Sequence, residues 1–84
     1  MEPDQVKQQI EAGLPDCNVT VTGENAHFDA TVIGEVFAGL SPVKKQQLVY
    51  ATVNDQIASG EVHALTIKTY TPAEWEKASK LRVS

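Results

Sequence analysis

Two short runs of period two, "CNVTVTG" at 17–23 and "HFDATVI" at 27–33, meet through the tight turn "GENA". In the first, Cys17, Val19 and Val21 point one way and Asn18, Thr20 and Thr22 the other. In the second, Phe28, Ala30 and Val32 share a face. Runs this short, joined by a Gly/Asn turn, predict a β-hairpin with one apolar side. That side needs cover, and the rest of the chain must supply it.

The cover is readable on both flanks. Residues 4–13 predict a helix, with Asp4 as N-cap and Val6 and Ile10 on one face. Leu14 extends the stripe, and Gly13 and Pro15 end it. "GEVFAGL" reads as a short helical turn that packs on the core through Val36, Phe37 and Leu40. Ser41 caps a long helix with Pro42 at its first position. Val49, Val53 and Ile57 form its stripe, and Gly60 stops it. "VHALTIKTY" then predicts a third strand, with Leu65 and Ile67 inward and Ala64, Thr66 and Lys68 outward. "TPAE" at 71–74 is a capping box that opens a last helix carrying Trp75, Ala78 and Leu81.

The helical crossover between strands two and three has the length that parallel pairing needs. The expected order is α-β-β-α-α-β-α around a mixed three-stranded sheet. This is an α+β two-layer domain with helices over one face.

The totals narrow the function classes. With 84 residues, one modest core is expected, hence a single domain over 1–84. A hydrophobic share of 42% suits a globular chain. No apolar run approaches the ~20 residues that span a bilayer, and "MEPDQVKQQI" is no secretory leader. One cysteine builds no internal disulfide. A soluble, cytoplasmic protein is expected. A net charge of −4 argues against strong sequence-independent nucleic-acid binding. The chain has no nucleophile elbow, phosphate loop or Cys-x-x-Cys, and no carboxylate pair spaced for acid–base work beside a histidine. It reads as a non-enzyme.

The candidate residues are few. By alternation His63 shares a face with Leu65 and Ile67, at the strand's leading edge. One reading is a half-buried histidine that packs and hydrogen-bonds a neighbour; the other is an imidazole offered to a metal, since neutral imidazole ligates iron and zinc well. His27 begins its own strand, and parallel pairing would bring it to the same rim. Alternation, however, sets His27 with Asp29 and Thr31, opposite Phe28, which favours an exposed turn histidine. Cys17 lies on the inward side and reads as a buried, inert thiol. Lys44, Lys45 and Lys68 are the weak nucleic-acid candidates; no two glycines stand three apart as a KH clamp requires.

"VHALTIKTYTPAEW", with "HF" at 27–28, "FAG" at 37–39 and "LVY" at 48–50, resembles the BolA-like family over about residues 3–80. The resemblance implies a fold similar to class II KH domains. It also implies work beside a monothiol glutaredoxin in iron–sulfur and iron homeostasis, with an acid-stress role on one bacterial branch. In such complexes a [2Fe–2S] cluster is shared with the glutaredoxin and glutathione. The isolated chain is expected to hold none. The matching histidine here is His63, and His27 is the nearest replacement for a second ligand found in longer family turns. A protonated imidazole cannot ligate, so cluster retention is expected to weaken in acid. Some members contact DNA, but Lys45, Gln46 and Gln47 stand where many carry Arg-His-Arg. No membrane partner is expected, and the chain alone is expected to be a monomer or weak homodimer.

Overall fold

The computed structural model describes residues 2–82, the side chains of 80–82 excepted. The order is α1 (Pro3–Gly13), β1 (Asn18–Glu24), β2 (His27–Ile33), a 3-10 turn (Glu35–Phe37), α2 (Pro42–Thr52), α3 (Asn54–Ser59), β3 (Ala64–Tyr70) and α4 (Pro72–Arg82).

The sheet runs β1-β2-β3. β1 and β2 are antiparallel, from Asn18↔Ile33 to Glu24↔His27. β2 and β3 are parallel, from His27↔Ala64 to Ile33↔Tyr70. The hairpin closes through Asn25 and Ala26 alone, both at positive φ (52° and 66°), the type I′ geometry that matches strand twist. Side-chain parity holds throughout: Val19, Phe28, Ala30, Val32 and Ile67 are buried, and Asn18, Thr20, His27, Asp29, Thr66 and Lys68 are exposed. Val6 and Ile10 of α1, Phe37, Val49, Val53 and Val62 complete the core from the helical layer.

Two sequence expectations change. The long helix is two helices, broken at Val53, whose φ is −124° and ψ 20°. The spacing of Val49, Val53 and Ile57 runs through the break, so periodicity alone does not reveal it. Just before it, the Thr52 hydroxyl donates to the Val49 carbonyl at 2.7 Å, a local bond that competes with helix continuation. At the other end of the chain the N-cap is Glu2, not Asp4. Pro3 opens α1, and the Gln5 side chain accepts the Glu2 N–H at 2.8 Å. The α4 capping box forms as expected. The Thr71 N–H donates to Glu74 Oε1 at 2.8 Å, and the Glu74 N–H donates to Thr71 Oγ1 at 3.2 Å. Leu81, expected on the α4 stripe, lies outside the described side chains.

β3 is an edge strand, and α2 covers part of its open side. Gln46 Nε2 donates to the Ile67 carbonyl at 3.0 Å, and the Tyr50 hydroxyl donates to the Leu65 carbonyl at 3.2 Å. These polar side chains occupy edge acceptors that would otherwise invite another strand.

Candidate metal-ligating rim

Because β2 and β3 are parallel, both begin at one rim of the sheet. His27 opens β2, and His63 immediately precedes β3. The hairpin turn ties the two starts together. One carbonyl, that of Ala26, accepts the N–H groups of both His63 (2.8 Å) and Ala64 (3.1 Å). The His63 backbone is also held from the other side. Gly60, at φ 86°, ends α3 in the left-handed conformation that glycine adopts without strain. Val62 is 1% exposed, and its N–H donates to the Gln56 carbonyl at 3.1 Å.

The His63 ring is not part of this scaffold. It is exposed, and its imidazole makes no hydrogen bond among the described residues. A β-carbon placed on Gly60 would lie 3.8 Å from His63 Nε2, so the ring lies beside the turn at Gly60, a residue with no side chain of its own. The expected core-face orientation is therefore overturned. Strand pairing starts at Ala64, two residues after the expected start at Val62, and parity does not govern His63. The half-buried, hydrogen-bonded reading falls with it.

His27 behaves as its parity says. It is exposed on the outer face beside Asp29, opposite Phe28, with Glu24 as its cross-strand partner. The fold thus brings both histidines to one rim, His27 from the outer face and His63 from the irregular segment before β3. Among the described residues, no group of three or more His, Cys, Asp and Glu side chains is gathered closely enough to hold a metal ion.

Cys17 is elsewhere. It precedes β1 at the end where Asn18 pairs with Ile33, opposite the histidine rim. Seven-residue strands separate the two ends by about 20 Å. Its thiol is buried, and its pKa is pushed up by desolvation and secondarily by Asp16. It packs against Gly34, as expected of an inert thiol, and cannot join His63 on one ligand.

The three lysines do not form one basic face. Lys68 projects from the outer sheet face, and Lys44 lines a groove beside the 3-10 turn on the helical layer. Lys45 lends its charge to Glu74, whose pKa is lowered chiefly by the Thr71 N–H and secondarily by Lys45. The sequence reading missed the Ala26 clamp. A two-residue I′ loop ending in Ala rather than Gly was its visible signal. It also missed the edge bonds of Gln46 and Tyr50, which depend on where α2 crosses the sheet.

Comparison with known proteins agrees with this architecture. The family described as BolA-like protein matches residues 5–74. An uncharacterized protein of Acinetobacter guillouiae is 46% identical over 79 residues, covering 94% of this chain and 95% of its own length. The acid stress protein IbaG of Escherichia coli K12 is 42% identical over 81 residues, covering 96% of each chain. A solved bolA homologue from Coxiella burnetii superposes with a TM-score of 0.82 at 36% identity, over 90% of this chain and 97% of that one. The yeast protein Fra2 superposes with a TM-score of 0.74 at 27% identity, over 100% of this chain and 94% of its own. A family match over most of the length, with close superposition on a solved homologue, places the chain in the BolA-like family.

Proposed function

We propose that this chain is a partner of a monothiol glutaredoxin and lends His63 as a ligand to a [2Fe–2S] cluster bridging the two proteins, in iron–sulfur and iron homeostasis and in the acid-stress response. The observation that carries the reading is the state of His63: its backbone is fixed from both sides, while its ring is exposed and makes no hydrogen bond among the described residues. A neutral imidazole held this way loses little freedom on binding and has a lone pair to give. On this reading the remaining cluster ligands come from the partner and glutathione, as sharing a cluster requires. His27, at the same rim, is the second candidate contact. When bound, the cluster supplies one-electron chemistry, and a histidine in place of a cysteine raises its potential. The name of the E. coli relative supports the acid-stress setting.

The test mixes the protein with a cluster-loaded monothiol glutaredoxin and glutathione, followed by visible absorption and circular dichroism. His63→Ala should abolish the spectral change on mixing and shorten cluster retention by more than the ~10–100-fold typical of disturbing an outer-shell partner. Spectra identical to those of the unmodified pair would remove His63 from the role.

A further inference from the structure

The backbone of the hairpin turn is unusual at the point where it meets the histidine rim. Among the described residues, Asn25 and Ala26 are the two non-glycine residues at positive φ, 52° and 66°. Gly23, just before them, stands at φ 142°, where an added β-carbon would overlap the His27 carbonyl. Asparagine tolerates the left-handed region, but alanine enters it against its own β-carbon. The second position of a type I′ loop favours glycine. The turn is therefore strained at Ala26, and strain of this kind persists only where the surroundings hold it.

What holds it is the chain returning from α3. The Ala26 carbonyl accepts from His63 at 2.8 Å and from Ala64 at 3.1 Å, which engages both of its lone pairs. That carbonyl belongs to the planar peptide unit whose nitrogen is His27's, and His27 is the register partner of Glu24 across the turn. One rigid plane thus opens β2 and grips the residue that precedes β3. The other hold on this segment, the Val62 N–H on the Gln56 carbonyl at 3.1 Å, lies one residue earlier and leaves the His63 N–H to the turn alone.

We propose that Ala26 is a positioning residue for the His63 ligand. Its left-handed backbone aims one carbonyl at His63 and Ala64, so the geometry of the hairpin turn sets where the imidazole stands and how long it stays on iron. The role rests on the reading of His63 as the lent ligand. The hold on His63 is measurable without iron, so the two fail separately.

The first test needs no variant. In the isotope-labelled free protein, the His63 and Ala64 amides should each show a trans-hydrogen-bond coupling to the Ala26 carbonyl carbon and slow exchange with solvent. Absent couplings with unprotected exchange would overturn the proposal. One glycine is then inserted between Asn25 and Ala26, which makes a three-residue loop and displaces the carbonyl. The amides of Phe28 and Val32 report that the sheet is kept. His63 and Ala64 should exchange about tenfold faster, the scale of a lost backbone bond, while Val62 stays protected. Cluster retention with the glutaredoxin should shorten about tenfold with both imidazoles intact, the lower end for disturbing a group that orients a ligand. Ala26→Gly removes the methyl and keeps the carbonyl, so it should preserve both protection and retention. Unchanged exchange in the insertion variant, faster exchange with unchanged retention, or equal losses in Ala26→Gly would each refute the positioning role. If His63→Ala leaves the cluster spectra unaltered, the cluster reading falls and the role in ligation falls with it, whereas the couplings and exchange still decide whether the turn holds His63.

Discussion

Gly34→Ala isolates what Cys17 does. Gly34 has φ −171° and ψ 150°, extended backbone open to any residue, so the substitution carries no conformational penalty at that position. It is buried, and its N–H donates to the Tyr70 carbonyl at 2.8 Å. The only obstacle is steric: an added β-carbon would overlap Cys17 Sγ, whereas Cys17 Cβ and Cα lie at 3.4 and 3.5 Å, ordinary contact distances. Overpacking of this kind costs about 1–3 kcal/mol. Cys17→Ala alone removes one heavy atom from a buried site, worth about 0.5–1.5 kcal/mol. In the double variant the new methyl fills the space that Sγ vacates, so the cost should fall below about 1 kcal/mol, a favourable coupling of about 2 kcal/mol. Urea unfolding followed by Trp75 fluorescence is a suitable assay, since Trp75 packs edge-on against Tyr70 at 5.2 Å. Against a total stability of roughly 4–12 kcal/mol for a domain of this size, the cycle is resolvable. Additive single costs would refute the packing account. The same Cys17→Ala variant should leave cluster retention with the glutaredoxin unchanged, because the thiol faces Gly34 at the wrong end of the sheet.

Ala26→Gly should stabilise the protein by about 0.5–1 kcal/mol in the same assay, because an L-residue at φ 66° costs ~1–2 kcal/mol while glycine gives back ~0.5–1 in chain entropy. His63→Ala should change stability by no more than about 0.5 kcal/mol, as for exposed residues generally, whereas Val62→Ala, one residue earlier and 1% exposed, should cost about 2 kcal/mol from the lost methyl groups and the cavity. Glu74 has a folded pKa below its ordinary value, so its contribution to stability is present above the usual glutamate range and is lost as pH falls through the lowered value. Glu74→Gln should therefore lower stability chiefly in the neutral region, converge with the unmodified protein in acid, and so flatten the acid limb of the stability profile.

The fold was legible wherever a pattern recorded a side chain's surroundings. Alternation over 17–33 placed Val19, Phe28 and Ala30 correctly, because a strand with one buried face leaves the register no freedom. "TPAE" located the start of α4 because both of its bonds are local. Legibility failed where competing local bonds or long-range placement decided the outcome. The α2–α3 break lies inside an unbroken spacing of Val49, Val53 and Ile57, and the Thr52 hydroxyl is invisible to periodicity. The Gln46 and Tyr50 side chains look like solvated helix polar groups until β3's edge carbonyls are seen beside them. For the site, His63 was named from the residues, but its exposure was misjudged, because pairing begins two residues later than expected and parity does not reach His63.

That boundary also separates folding from chemistry. Val62 and His63 are consecutive, yet Val62 is sealed in the core and His63 is left in water. The backbone bonds that fix them, from Gln56 and Ala26 carbonyls, use no side-chain atoms of either residue. Any residue with an ordinary backbone could occupy position 63 without altering those bonds, so folding does not demand an imidazole there. What an imidazole adds is a nitrogen beside the turn at Gly60, at the rim where a neighbouring chain could reach it. A histidine that the core does not need, held on a backbone the core makes rigid, is the arrangement expected of a ligand lent to a partner, because preorganisation lowers the entropic cost of binding without adding to the stability of the free protein.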